Sequence, residues 1–209
     1  MKEQYSWQIH LLCTLPILLF VLALRLLIGS EREVAEVFMA FQVGRPALTR
    51  AVALLTDYGD YCLAAVYAFL FAWGVKKKDD GLVRFAASFA AAFGLTMLTV
   101  QVLKGTIGRA RPYLEPEFLP HLWVEDYSSF PSGHTTYAVL SAIPVSVYFR
   151  KWTLALALGA TAALIAFTRV YLGMHYLTDL LGGTVMGNLG TGLAWFLFVF
   201  SAPAADSKE

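Results

Sequence analysis

Charged residues are scarce in this 209-residue sequence. They make up 15% of the chain, whereas a soluble globular domain typically carries about 25%. Hydrophobic residues, by contrast, make up 58%. A compact soluble domain of this size leaves too much of its surface exposed to hide so large an apolar fraction. The composition therefore argues against a soluble globule and a disordered chain, and it indicates that lipid surrounds much of this protein.

The sequence also lacks an excess of charge of either sign and a cysteine framework. Its 16 basic and 15 acidic residues give a formal net charge of +1, so no basic surplus indicates nucleic-acid binding. Only two cysteines occur, Cys13 and Cys62, both in apolar runs and without metal-ligand spacing. We interpret them as small buried hydrophobic residues, which argues against a disulfide scaffold.

Long apolar runs, in contrast, are abundant. A helix needs about 20 mostly apolar residues to cross a bilayer, and six runs approach that length, the fourth being short. The first run has no small-residue cleavage site at its end, so we interpret it as a retained span rather than a signal peptide. No internal repeat or linker separates domains. The sequence predicts a single all-α membrane domain over 1–209, with six transmembrane helices at about 9–28, 56–75, 82–103, 134–149, 152–170 and 176–200.

The segment between the first two runs has a different pattern. Over residues 31–50, charged positions interrupt apolar residues. This pattern is typical of an amphipathic helix that lies in the membrane interface. Asp57 and Asp60, at the start of the second run, are interpreted as a helix cap at the membrane boundary.

Basic residues near the span ends predict the orientation of the chain. In the six-span arrangement, equal numbers of basic residues lie on the two sides of the membrane. The basic residues of one side, however, concentrate in two short turns, at 76–78 and 150–151. Basic residues in short loops mark the cytoplasmic side. We therefore predict that both termini lie inside.

Ionisable residues close to the ends of the predicted spans occur mainly in three groups, at 104–111, 132–134 and 169–179. Such residues are costly in a membrane protein and are candidates for function. In the six-span arrangement these places fall at the end of the third span, the start of the fourth, and the turn between the fifth and sixth. All three lie on the outer side of the membrane.

The third group carries the strongest chemical signal. His175 and Asp179 are four residues apart, so on a helix they share a face and the carboxylate can reach the imidazole. Gly173 suggests a break, with Arg169 closing one span and His175 opening the next. An imidazole oriented by a carboxylate is an arrangement used in covalent catalysis. A structural hydrogen bond between the two side chains is the alternative.

The other two groups add an anion site. Ser132 is a good helix cap, Gly133 lets the backbone approach a ligand, and the free N–H groups of a first helical turn bind anions. His134 would project beside that anion, and Lys104 and Arg111 add positive charge. Taken singly, these residues are also compatible with a capped helix and with interfacial side chains.

Together the three groups favour phosphoryl transfer. Three cations and a helix N-terminus match the anionic oxygens of a phosphoryl group, and two histidines can supply a nucleophile and a proton donor. A two-metal phosphatase needs several carboxylates, whereas this cluster has Asp179 only. The sequence therefore predicts metal-free chemistry through a phosphohistidine, with no metal site and no cofactor.

Three motifs carry a resemblance to a known family. They are Lys104-(x)6-Arg111-Pro112, Pro131-Ser132-Gly133-His134 and Arg169-(x)5-His175-(x)3-Asp179. In order and spacing they resemble the signature motifs of the type 2 phosphatidic acid phosphatase family, which is related to the vanadium haloperoxidases. The third motif usually opens with Ser-Arg, and Thr168 replaces that serine here while keeping a hydroxyl.

The resemblance implies a role for each matching residue. His175 would be the nucleophile, Asp179 its orienter, and His134 the general acid that protonates the leaving oxygen. Arg109, between motif positions, receives no role. The implied phosphate cradle consists of Lys104, Arg111, Arg169, Ser132 and Gly133.

Members of this family act on lipid phosphates or diphosphates without a metal, in bacteria usually at the outer face. The resemblance thus implies a lipid phosphatase of the bacterial inner membrane, with cytoplasmic termini and a site facing the periplasm or exterior. Candidate substrates are polyprenyl diphosphate, phosphatidylglycerol phosphate, phosphatidate and lipid A 1-phosphate. The implied partners are the lipid substrate and the bilayer, with no nucleic acid and no required protein.

A membrane transporter or channel is the alternative function. In that case the same charges would form an ion or substrate path. Relay residues of transporters usually lie near the middle of the membrane, whereas the predicted site residues lie close to span ends on one side. Their position favours the enzyme.

Overall fold

The computed structural model describes residues 6–120 and 124–201, and this part of the chain forms seven α-helices. Within it, the one pairing of β type is an isolated bridge between Arg109 and Phe118. The all-α prediction is confirmed. The helices are α1 (Trp7–Leu27), α2 (Glu31–Gln42), α3 (Pro46–Lys77), α4 (Asp80–Ile107), α5 (Gly133–Phe149), α6 (Trp152–Tyr171) and α7 (Leu177–Phe200).

Five of these helices, α1, α3, α4, α6 and α7, are long and apolar enough to cross a membrane. Their outer faces carry large exposed apolar side chains such as Leu19, Leu98 and Phe196, which a bilayer would cover. An integral membrane bundle is therefore confirmed. The fourth predicted span corresponds to α5, which has only 17 residues. The structure accordingly supports five spans by length and composition, and the predicted sixth is not confirmed.

Helix α5 is the central helix of the bundle. It packs mainly against α6 and α7, and also contacts α1, α3 and α4. Nearly every residue from Gly133 to Val147 is buried. Because α5 is surrounded by other helices, its apolar sequence reflects contact with protein more than contact with lipid. This central position also places the start of α5, with the half-buried His134, among the neighbouring helices, whereas its last residue Phe149 is exposed.

Small residues allow the central helices to approach closely, as is usual where lipid removes the hydrophobic drive for helix association. A side-chain carbon at Gly187 of α7 would lie 2.6 Å from Cβ of Val139 on α5, and one at Gly159 of α6 would lie 2.7 Å from the carbonyl oxygen of Leu12 on α1. Cys13 is buried in the same region, as predicted, whereas Cys62 is exposed on α3. The prediction for Cys62 is therefore wrong.

Helix α3 begins ten residues earlier than the predicted span. Pro46 occupies its first turn, where the fixed φ of proline is compatible with a helix and its missing N–H is not needed. The start of the apolar run therefore does not coincide with the start of the helix. Asp57 and Asp60 lie well inside α3, so their interpretation as a helix cap is wrong.

Two sharp breaks bring the motif residues into position. Helix α4 ends at Gly108, which has a φ of +59° and donates its N–H to the Lys104 carbonyl at 2.9 Å. Helix α6 is separated from α7 at Gly173, whose φ is +67°. Positive φ favours glycine at both places. The break predicted at Gly173 is confirmed, and it leaves His175 between the two helices.

Candidate active site

The structure brings the three predicted groups together at one end of the bundle. Lys104 lies in the last turn of α4, His134 in the first turn of α5, and Arg169 in the last turn of α6. A side-chain carbon at Gly133 would lie 3.9 Å from Nζ of Lys104. The charges of Lys104, Arg111 and Arg169 are close enough to interact. Lys104, His134 and Arg169 thus lie near helix ends, as predicted.

Ser132 organises the start of α5. Its side chain accepts hydrogen bonds from the N–H of Thr135 at 3.4 Å and from the Thr135 hydroxyl at 3.0 Å. Its own N–H donates to the Asp179 carbonyl at 3.0 Å, which joins α5 to α7. The first turn of α5 is thus capped, as predicted, and held against the start of α7. Such a turn presents N–H groups to an anion.

Two arginines beside this turn are buried. Arg111 is 6% exposed, and it donates to the Glu125 carbonyl at 2.9 Å and to the Met174 sulfur at 2.7 Å. Arg169 is 7% exposed, and its Nε atom has no hydrogen-bond partner within the part of the chain that the structure describes. A buried donor without a partner is costly. A phosphoryl oxygen is an acceptor that suits a guanidinium group in this position.

His175 is almost completely buried, and its Nδ1 atom faces Asp179. The distance from Nδ1 to Oδ2 of Asp179 is 3.6 Å, longer than a hydrogen bond, although catalytic hydrogen bonds often shorten only when substrate is bound. Burial lowers the pKa of His175 to about 4, and the neighbouring carboxylate opposes this change only in part. At neutral pH the imidazole is therefore uncharged, which is the form that can act as a nucleophile.

Asp179 has more partners than the sequence analysis predicted. Its Oδ2 atom accepts from the Ser129 hydroxyl at 2.6 Å and from the N–H of Tyr176 at 2.8 Å. Its Oδ1 atom accepts from Nη1 of Arg109 at 2.6 Å. Sequence reasoning missed both Ser129 and Arg109. The position of Arg109 inside the first motif was the available signal, but nothing local connects it to a residue 70 positions away.

His134 also faces a carboxylate. Its Nε2 atom lies 3.6 Å from Oδ2 of Asp60 on α3, and the imidazole is 31% exposed. The sequence pattern assigned Asp60 to a helix cap, whereas the structure places it beside the predicted general acid. Burial and the nearby cations lower the pKa of His134 to about 3, so the ring is neutral before an anion binds. A bound phosphate anion together with the Asp60 carboxylate favours the protonated ring, the form that a proton donor needs.

A cavity of about 580 Å³ opens beside His134. Its polar lining includes Lys104 and Asp60, and most of the rest is apolar. A cavity with both charged and apolar walls suits a ligand that has a phosphate group and an attached hydrocarbon chain. The apolar and aromatic lining residues are Tyr61, Ala64, Phe93, Met97 and Tyr137.

The carboxylates of the site are arranged unlike those of a two-metal centre. The cluster contains Asp60 as well as Asp179, so the prediction of a single carboxylate is wrong. Both oxygens of Asp179, however, already accept hydrogen bonds from protein donors. Among the described residues no group of three or more His, Cys, Asp or Glu is placed to hold a metal ion.

Fold and site together define an integral membrane protein with a basic, histidine-containing site at one end of an all-helical bundle. Comparison with known sequences identifies the family. A sequence model described as the PAP2 superfamily matches residues 85–203, more than half of the chain. The protein belongs to this superfamily, which confirms the resemblance inferred from the three motifs.

Curated relatives carry the names of phosphatases. Phosphatidylglycerophosphatase B of Bacillus subtilis is 37% identical over 124 residues, which are 54% of this chain and 56% of that protein. The chain thus spans little more than half the length of this relative. Undecaprenyl-diphosphatase of Sulfolobus acidocaldarius is 26% identical over 196 residues, 90% of this chain and 88% of that protein. These names confirm the predicted enzyme class.

A solved structure shares the fold. It is the crystal structure of a transmembrane PAP2-type phosphatidylglycerolphosphate phosphatase from Bacillus subtilis. It covers 93% of this chain and 98% of its own, with a TM-score of 0.57 and 23% identity. The arrangement of helices is therefore that of a membrane-embedded member of the superfamily.

Proposed function

We propose that this protein hydrolyses a lipid phosphate or diphosphate through a phosphohistidine, without a metal, at the outer membrane–water interface. One observation carries the proposal. A buried, uncharged His175 faces a carboxylate and lies near the cations Lys104 and Arg169 at the end of an apolar bundle. The names of the relatives support hydrolysis of a lipid-linked phosphate.

In the first step, Nε2 of His175 attacks phosphorus, because Nδ1 is the nitrogen that faces Asp179. A phosphorus–nitrogen bond forms as the bond from phosphorus to the lipid oxygen breaks. Protonated His134 gives its proton to that oxygen, and the lipid leaves as an alcohol or a monophosphate. The imidazolium that forms on His175 is stabilised by Asp179, as in other nucleophile–orienter pairs.

In the second step, a water molecule attacks the phosphohistidine. His134, now neutral, accepts a proton from that water, and the phosphorus–nitrogen bond breaks to release inorganic phosphate. Both steps place negative charge on the phosphoryl oxygens. The proposed cradle that stabilises this charge consists of Lys104, Arg111, Arg169, Ser132 and Gly133.

The substrate class follows from the cavity beside His134. Its apolar lining accommodates a hydrocarbon chain while the phosphate lies against Lys104. We infer that the substrate is polyprenyl diphosphate, phosphatidylglycerol phosphate, phosphatidate or lipid A 1-phosphate. We further propose that residues 1–209 act as one membrane-embedded domain.

A panel of these four lipids tests the function directly. Purified protein in mixed micelles is expected to release phosphate from at least one of them in the presence of EDTA. Vanadate should inhibit the reaction because it mimics the trigonal transition state, which an enzyme binds more tightly than its substrate. Activity that disappears with EDTA and returns with Mg²⁺ would contradict the metal-free mechanism, and no release from any lipid would contradict the function.

We also infer that α2 lies in the outer interface. One face of α2 packs on α6, where Phe38 contacts Tyr171 and Gln42 donates to the Tyr171 carbonyl at 2.7 Å. Another face exposes Val37 and Phe41. An amphipathic helix held beside the site in this way can seat its apolar side among lipid headgroups.

Cysteine labelling tests the proposed orientation, in which the site faces the periplasm or exterior of an inner membrane and the termini are cytoplasmic. The termini themselves lie outside the described residues. In a background without Cys13 and Cys62, Glu115→Cys in the exposed loop after α4 is expected to react with an impermeant reagent in intact cells. Lys151→Cys, in the turn between α5 and α6, is the matched control and should react only after lysis. The reverse pattern would invert the orientation.

A further inference from the structure

Arg109 lies outside the motif positions, yet it forms the most direct ionic contact with Asp179. Its Nη1 atom is 2.6 Å from Oδ1 of Asp179 and 2.6 Å from the Thr178 hydroxyl. Its Nη2 atom is 2.6 Å from Oε1 of Glu31. The guanidinium also lies over the ring of Tyr176, 4.3 Å from its centroid. Arg109 is therefore held on several sides beside a carboxylate that is completely buried.

Glu31 completes a closed network around Asp179. While one of its oxygens pairs with Arg109, the other accepts from the Thr178 hydroxyl at 2.6 Å and from the Thr178 N–H at 3.2 Å. Glu31 is the first residue of α2, whose start is fixed by a capping box between Ser30 and Glu33. The network thus connects α2, the chain after α4, and the first turn of α7.

The two oxygens of Asp179 have different partners. Arg109 pairs with Oδ1, and Oδ2 is the oxygen nearest to His175. An ionic contact on one oxygen and hydrogen bonds on the other fix the plane of the carboxylate. Arg109 also supplies positive charge to a buried anion that would otherwise be costly. Arg109 thus orients Asp179 together with Ser129 and the N–H of Tyr176.

Arg109 differs from Arg169 of the proposed cradle because its terminal nitrogens are already occupied by protein acceptors. Its two terminal nitrogens are already engaged by carboxylates at 2.6 Å, whereas Nε of Arg169 has no partner among the described residues. Arg109 lines a separate pocket of about 120 Å³ together with Glu31 and Tyr176, not the cavity beside His134. These contacts argue against direct binding of the substrate phosphate.

We propose that Arg109 is a positioning residue that aligns Asp179 with the nucleophile His175 and is itself held by Glu31 of α2. The proposal rests on the proposed function, since it assigns a role within that reaction. It gives α2 a part in catalysis, because the first residue of this helix determines where Arg109 lies. A displacement of a catalytic group by about 1 Å can lower a rate by about 10²-fold.

The test compares Arg109→Ala, Arg109→Lys and Glu31→Gln in purified, folded protein. Arg109→Ala is expected to lower kcat by about 10²-fold, with an unchanged KM and an unchanged inhibition constant for vanadate. Arg109→Lys should recover part of the loss because it keeps the charge and one donor nitrogen, and Glu31→Gln should show a smaller loss. Glu36→Gln, which weakens an exposed ion pair with Arg32 on the same helix, is the matched control and should leave kcat unchanged.

A double-mutant cycle separates positioning from a general effect on stability. If Arg109 acts through Asp179, adding Arg109→Ala to Asp179→Asn should cause no further loss of kcat, since contacting residues in one pathway are non-additive. Fully additive losses would overturn the proposal, as would a weaker inhibition by vanadate, which would make Arg109 a phosphate ligand. Should Arg109→Ala fail to fold, Glu31→Gln takes its place in the same cycle.

The outcomes also distinguish this inference from the proposed function. A wild-type protein that releases phosphate while Arg109→Ala and Glu31→Gln retain full kcat would overturn the positioning role alone. A wild-type protein that forms no phosphohistidine would overturn the proposed function.

Discussion

His175→Ala is expected to reduce phosphate release to the background rate. No atom remains to accept the phosphoryl group, so both formation and hydrolysis of the intermediate stop. Removal of the nucleophile from a covalent enzyme lowers kcat on the order of 10⁶-fold. A steady-state assay on the preferred lipid measures this loss. An aryl phosphate should not restore activity, because a better leaving group does not replace a missing nucleophile.

Acid quenching during turnover provides the direct readout. A phosphoramidate is labile in acid and stable in base, so wild-type protein should carry a label with this behaviour. His175→Ala should carry none. His10→Gln is the matched control, because His10 lies in α1, away from the site, and contacts Asn188, a contact that glutamine can retain. A label of full intensity in His175→Ala would show that another residue is the nucleophile.

His134→Ala is expected to lower kcat on lipid substrates by about 10²–10⁴-fold, the usual contribution of a positioned acid or base. The loss arises mainly because the lipid oxygen must leave without a proton. An aryl phosphate, whose leaving group is more acidic, needs less protonation. The ratio of wild-type to variant activity should therefore be much smaller for the aryl substrate than for the lipid.

The comparison of the two substrates decides the role of His134. Equal losses on lipid and aryl substrates would mean that His134 binds phosphate instead of protonating the leaving oxygen. Asp179→Asn is a useful reference because it keeps the imidazole of His175 but orients it poorly. Its loss should fall between those of the two histidine variants and should not depend on the leaving group.

Local sequence patterns determined much of this protein. Apolar runs of near-membrane length predicted α1, α4, α6 and α7 to within a few residues, because a helix in lipid must satisfy its own backbone. Gly173 marked the break before His175, since a positive φ favours glycine. The three motifs were sufficient to identify the superfamily, and they also named the residues that meet at one end of the bundle.

Local patterns failed where a helix boundary did not coincide with a change in hydropathy. Helix α3 starts at Pro46, well before its apolar run, so Asp57 and Asp60 were misassigned to a cap. The predicted fourth span became the buried central helix α5. An apolar sequence indicates that a segment avoids water, but it does not show whether lipid or protein surrounds that segment.

Contacts between distant residues were decided only by the tertiary structure. The prediction that His175 and Asp179 share a helical face is wrong, because α7 begins at Leu177 and His175 lies before it. The sequence did predict that the carboxylate faces the imidazole. It did not determine that Arg109 and Glu31 would enclose Asp179, or that Asp60 would face His134, since those partners are 70 or more residues apart in sequence. Side-chain spacing along one helix is a local property. Which helices pack together, and at what depth their polar residues meet, depends on the packing of the whole bundle.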